Sequence, residues 1–88
     1  MDVFTKYVME LPNIGYSSKC YLILAYDICS EEFVYKAREV RKHFPNETYR
    51  RIEKALLEHK LIHLYPKGKG NFRLNYVWKD MYDARVLK

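Results

Sequence analysis

The sequence is short of the residues that mark extracellular and membrane proteins. It has two cysteines, three glycines and three prolines among 88 residues. If Cys20 and Cys29 share one helix, they stand ~13 Å apart along its axis, too far for a disulfide. They read as small buried hydrophobes, or as free thiols in a reducing compartment. The longest apolar run, residues 21–26, falls far short of the roughly 20 residues that cross a bilayer. Met1 and Asp2 open the chain without an apolar stretch behind them, so no secretory signal is expected. Internal repeats, linkers and low-complexity tracts are missing too. The expectation is a soluble, cytoplasmic protein with no membrane partner, forming one domain over residues 1–88.

Catalytic signatures are equally scarce. No Ser/His/Asp set or pair of carboxylates stands out. Gly68-Lys69-Gly70 lacks the spacing and the following helix of a phosphate loop. His59 and His63 are four apart, but a helix end falls between them. Adding Cys20 and Cys29 gives no zinc-ligand spacing. The chain is therefore expected to be no enzyme and to carry no metal or cofactor.

What the sequence does have is apolar and aromatic content and a lopsided charge. Hydrophobic residues make up 49%, with nine tyrosines, which argues for a packed core. Formal net charge is +5. Residues 1–32 carry two Lys/Arg against five Asp/Glu, a net of −3, whereas residues 33–73 carry eleven against four, a net of +7. Positive charge gathered on one segment points to a polyanionic partner or to a solvated basic surface.

Periodicity places the elements. Val3, Phe4, Tyr7, Val8 and Leu11 share a helical face over residues 2–11, stopped by Pro12. Ser17 or Ser18 is the expected cap of a second helix over residues 19–28, apolar on nearly all sides and hence central. Phe33, Val34 and Tyr35 form a strand fragment. A helix over 36–44 follows, its inner face set by Ala37, Val40 and Phe44, with Arg41 snorkelling at the edge. Pro45 ends it, and Asn46 is the expected N-cap of a helix over 47–59. There Tyr49, Ile52 and Leu56 form the inner stripe, with Ala55 at its edge. Residues 61–78 alternate as a β-hairpin with a Lys67-Gly68-Lys69-Gly70-Asn71 tip. Trp78, Met81, Tyr82, Arg85 and Val86 fall at roughly helical spacing.

In that order, Thr48, Arg50 and Arg51 open a helix, Leu56 follows, and a Leu61-Ile62 pair leads into a glycine-tipped hairpin. The stretch TYRRIEKALLEHKLI resembles the recognition helix of bacterial and archaeal winged-helix regulators, and PKGKGNFRLN looks like their wing. The resemblance covers residues 17–78. The layout is closest to small dimeric PadR-like regulators and to small winged-helix proteins of archaeal plasmids and viruses. Two positions depart from the pattern. Lys60 stands where a glycine is usual, at a cost on the order of 1 kcal/mol if it is left-handed. Pro45-Asn46 occupies a corner where glycine is common.

The resemblance implies an α+β winged helix-turn-helix: a three-helix core over 17–78 with a β-hairpin wing. An N-terminal helix and connection (1–16) and a short C-terminal helix (79–88) flank it. It implies sequence-specific binding of double-stranded DNA by a homodimer acting as a transcriptional regulator, as on an archaeal mobile element. Recognition helices insert their first turns into the major groove, which makes Thr48, Arg50, Arg51 and Lys54 the side chains to reach DNA. Asn46 reads either as a pure cap or as a base reader. Lys67, Lys69 and Arg73 would lie on the backbone or in the minor groove, and Lys36 and Arg38 on phosphates. Phe4, Tyr7, Val8, Met81, Tyr82 and Val86 are the candidates for pairing two copies, unless they pack within one chain. The aromatics fall mostly on inner faces, which favours packing over stacking on single-stranded bases. Two other roles stay open: a DNA-binding protein of plasmid partition or replication sites, and a winged helix used to bind a protein partner.

Overall fold

The computed structural model describes residues 3–65 and 69–75. Within them lie four helices and a three-stranded antiparallel sheet, a small α+β domain. The elements are α1 (Val3–Glu10), α2 (Tyr16–Ile28), β1 (Val34–Lys36), α3 (Ala37–Arg41), α4 (Asn46–Glu58), β2 (Ile62–Leu64) and β3 (Asn71–Leu74). The expected C-terminal helix, and Lys67, Met81, Tyr82 and Val86 with it, fall outside the described residues.

Helix α2 is the scaffold, as its composition suggests. Ser18, Tyr21, Leu22 and Ala25 are buried along it, and it packs on α1, α3, α4 and β1. Its start differs from expectation. Gly15 is the N-cap, in extended conformation and without a side-chain bond, so Ser17 and Ser18 sit inside the helix. Helix α1 lies against α2 through Phe4 and Val8, and the Phe4 ring stacks on Tyr26 at 4.2 Å. The Lys19 ammonium donates to the Met9 carbonyl at 2.8 Å, satisfying an acceptor in the last turn of α1.

Phe4 is 2% exposed and Val8 fully buried, and Tyr7 is half-buried against the same core. These three are candidates either for pairing two copies or for packing within one chain; Phe4 and Val8 lie in the chain's own core, the second of those alternatives, and Tyr7 is partly covered by it.

The sheet order is β1-β3-β2. Leu64 and Tyr35 both face Phe72 in register, and the Tyr35 and Phe72 rings stack at 5.9 Å. Ile62 is fully buried, but Leu64 on the same side of the strand is 71% exposed, because it lies two residues further out along an edge strand. Gly70 has φ +74, the conformation that the glycine-rich tip was expected to supply. The Gly70 carbonyl accepts the Ala37 N–H at 2.9 Å, which ties the hairpin tip to the start of α3.

Helices α3 and α4 meet at a tight corner. Helix α3 is shorter than the 36–44 expected. Lys36 belongs to β1, where it faces Asn71, and beyond Arg41 the chain closes by i→i+3 bonds from His43 to Val40 and from Phe44 to Arg41. Pro45 is the N-cap of α4, and its carbonyl accepts the Tyr49 N–H at 3.0 Å. Asn46 is therefore the first helical residue and not the cap expected of it. Proline's fixed φ and missing N–H suit the extended cap position, so it takes the corner.

The end of α4 is a Schellman motif. The Lys60 N–H donates to the Leu57 carbonyl at 3.1 Å and the Leu61 N–H to the Leu56 carbonyl at 2.9 Å. Lys60 sits at φ +60, the left-handed position that favours glycine. Its carbonyl accepts the Asn75 side-chain amide at 3.0 Å.

Candidate functional site

Helix α4 divides its faces sharply. Ile52, Glu53 and Leu56 point inward, while Arg50, Arg51 and Lys54 are exposed on the opposite side. At 100° per residue, Glu47, Arg50, Arg51, Lys54 and Glu58 make up the outer arc. Thr48 and Arg51 turn to one flank, where they face Gly15, Tyr16, Ser17 and Ser18 of the α2 start across a cleft of about 300 Å³. Asn46 is exposed at the first turn, and its side chain makes no hydrogen bond among the described residues. With capping assigned to Pro45, that amide remains available to a ligand.

A second cleft, of about 310 Å³, opens between α3 and the hairpin. Lys36, Arg38, Arg41, Lys69, Gly70 and Asn71 line it. Four cationic side chains thus face one space, and among the described residues no acidic one lines it. Glu39 nearby is turned to Lys42, whose ammonium it accepts at 3.1 Å. That hydrogen bond, with the Lys42 charge, holds its carboxyl below the usual range. Arg73 is not part of this group. It lies within β3 opposite Val34 and His63, on the face of the strand away from Phe72 and Leu74. The structure thus brings Lys36, Arg38 and Lys69 together, sets Thr48, Arg50, Arg51 and Lys54 along α4, and leaves Arg73 apart. Lys67 falls outside the described residues.

Between the two regions runs a buried polar chain that the sequence reading missed. The Arg41 guanidinium donates from Nε to Glu53 Oε2 at 2.8 Å and from Nη2 to Oε1 at 2.6 Å. Tyr21 donates its hydroxyl proton to Glu53 Oε2 at 2.8 Å. A phenol has one proton, so the 3.0 Å contact between the Tyr21 and Tyr35 hydroxyls has Tyr35 as donor. Burial, reinforced by Tyr35 and Glu53, pushes the Tyr21 phenol far above its ordinary value. Burial does the same, less strongly, for Tyr35. The hydrogen bonds to Glu53 raise Arg41 further. Arg41 also lies 4.9 Å over the Tyr49 ring. It is therefore an anchored cation and not a snorkelling one. The sequence held a signal: Glu53 and Arg41 each fall on the apolar stripe of their helix, where a lone charge needs a partner of opposite sign.

Both thiols are free and half-buried, and Cys29 donates to the Tyr26 carbonyl at 3.1 Å. His59 is exposed past the end of α4 and His63 is half-buried in β2. Among the described residues, no group of three or more His, Cys, Asp or Glu is placed to hold a metal ion. No helix among them is long and apolar enough to cross a membrane. Of the aromatics, Phe4, Tyr21, Tyr35 and Phe72 are buried, and Tyr7, Tyr26, Phe33 and Phe44 pack on the core.

The chain matches no family model, no curated protein and no solved structure.

Proposed function

We propose that the chain is a winged helix-turn-helix protein that binds double-stranded DNA and acts as a transcriptional regulator. Helix α4 would be the recognition helix and the β2–β3 hairpin the wing. The observation that carries this reading is the pairing of two basic surfaces on adjoining elements. Arg50, Arg51 and Lys54 face outward from a helix whose other face is core, and the α3–hairpin cleft gathers Lys36, Arg38, Arg41 and Lys69 beside it. The order of helices and strands supports it as well.

A major groove about 12 Å wide admits α4. Arg50 and Arg51 then reach base edges, where a bidentate contact to guanine is worth roughly 1–3 kcal/mol of discrimination. Asn46 and Thr48 enter at the helix start, and Lys54 meets phosphate. Lys36, Arg38 and Lys69 hold the backbone, which fixes register without reading sequence. Two copies on a twofold site would set their recognition helices ~34 Å apart. With Phe4 and Val8 used internally, the outward side of α1, carrying Val3 and Met9, is one described surface open to pairing.

The test is selection of duplexes from a random-sequence pool, followed by titration of the enriched sequence against a scrambled one. Enrichment of a motif, relaxed at individual positions by Arg50→Ala or Arg51→Ala, supports the proposal. Negligible affinity for every duplex overturns it and leaves a protein-binding role for the same fold.

A further inference from the structure

Arg41 occupies an unusual position for a basic residue on an inner helix face. Its guanidinium is held on one edge by both oxygens of Glu53 and on one face by the Tyr49 ring at 4.9 Å, with the Phe72 ring at 6.0 Å. The Glu53 side chain is 8% exposed, whereas that of Arg41 is 34% exposed and lines the cleft shared with Lys36, Arg38 and Lys69. A guanidinium has five N–H donors. Two go to Glu53, and among the described residues the other three have no acceptor. Arg38 on the same cleft is 78% exposed, with its Nε 3.9 Å from a Glu39 oxygen. Arg41, by contrast, is held by two short hydrogen bonds before any ligand arrives, with donors left over. At about 30 Å³ per water, the 310 Å³ space holds roughly ten waters, room for a phosphodiester group and part of its hydration.

We propose that Arg41 is a phosphate ligand pre-set by Glu53, and that the cleft between α3 and the hairpin seats one backbone phosphate of DNA on Arg41, with Lys36 and Lys69 closing over it. The proposal rests on the reading of the chain as a duplex-DNA binder. Glu53 is a positioning residue here: it touches no DNA and acts by fixing the plane of Arg41. Ordering the guanidinium in advance removes part of the entropy cost of binding, and fork geometry suits a phosphate.

The effect of Glu53→Gln separates positioning from bulk charge. The substitution removes a negative charge, so a general attraction between cationic protein and DNA would tighten binding. If Glu53 positions Arg41, binding weakens despite the gain in net charge, because one amide N–H now meets a guanidinium N–H and the fork is lost. Anisotropy titrations of one labelled duplex at several salt concentrations would compare the wild type, Arg41→Lys, Arg41→Met, Glu53→Gln and, as an outside control, Lys6→Gln. Circular dichroism would check that each variant is folded at the working temperature. Arg41→Lys and Glu53→Gln are expected to bind roughly tenfold more weakly on specific and scrambled duplexes alike. Arg41→Met is expected to lower the slope of log K against log salt by about 0.9.

Should the Arg41 or Glu53 variants unfold, the side-chain Nε–H resonance of Arg41 in the ¹⁵N-labelled wild type supplies the readout. It is expected to shift when duplex is added. Wild-type binding with Arg41→Lys and Glu53→Gln unchanged or tighter, or an Arg41 signal that stays put, overturns this proposal and leaves DNA binding standing. Absence of duplex binding by the wild type overturns both.

Discussion

Arg41 of α3 and Glu53 of α4 meet edge to edge, through parallel hydrogen bonds of 2.8 and 2.6 Å. The pair links the two helices across their corner, and Tyr21 of α2 completes it from beneath at 2.8 Å. One carboxylate thus joins three helices.

Removing that carboxylate should be costly. Glu53→Ala leaves Arg41 without its counter-charge and the Tyr21 hydroxyl without its acceptor. Breaking a buried pair costs roughly 3–5 kcal/mol. Arg41 is partly exposed and recovers some hydration, so about 2–3 kcal/mol is expected in urea unfolding. The double variant Arg41→Met/Glu53→Met is expected to be more stable than Glu53→Ala, since it leaves no unpaired charge. A double variant weaker than the single one would contradict this account of the pair.

Lys60 offers the opposite change. It holds φ +60 at the end of α4 with both Schellman bonds formed, so only its side chain opposes the conformation. Lys60→Gly is expected to stabilise the fold by about 1 kcal/mol, raising the melting temperature by roughly 4–8 °C. Scanning calorimetry checks this, and an unchanged or lower melting temperature counts against it.

The buried phenols set an alkaline limit. Tyr21 and Tyr35 both have folded-state values above the unfolded value of about 10. Their contribution is therefore complete below pH ~10 and is lost as pH rises above it, by about 1.4 kcal/mol per pH unit for each phenol. Absorbance at 295 nm gives the check. In the folded protein, Tyr21→Phe is expected to show the same tyrosinate amplitude as the wild type, and one-ninth less than the wild type after unfolding, since the chain has nine tyrosines. A deficit already present in the folded state would show that Tyr21 ionises there.

The two basic regions should differ in what they control. Lys69→Ala is expected to weaken all duplexes uniformly and to reduce the salt slope by roughly 1, whereas Arg50→Ala and Arg51→Ala change which bases are preferred. Parallel binding curves on a specific site and its single-base variants distinguish the two patterns. Equal losses on every sequence for all three substitutions would remove α4 from a reading role.

Much of this architecture was legible in the sequence because it depends on local rules. The apolar run of α2 demands a central position, Pro45 forces a corner, and the glycines after Pro66 invite a turn, of which Gly70 is the described member. The errors lie where two local rules compete or where the partner is distant. Both serine cap candidates lost to Gly15, two and three residues earlier, and Asn46 lost to Pro45, one residue earlier; in each case the chain is already extended at the cap. Glu53 looked like an ordinary helix residue because its partners, Arg41 and Tyr21, are 12 and 32 positions away. Phe4 and Val8 were open to a second copy or to their own core, because periodicity identifies an apolar face without saying what covers it. Of the basic residues, spacing placed those on α4 but could not set Lys36, Arg38 and Lys69 around one cleft, which depends on the bond between Gly70 and Ala37.

The most direct measurement is a gel shift of the full chain on fragmented DNA from its source genome, at low and at moderate salt. The expected result is a retarded subset of fragments that persists as salt rises while the rest dissociate, and that is lost with Arg50→Ala/Arg51→Ala. Retardation of every fragment equally, or of none at either salt, would contradict sequence-specific binding through α4.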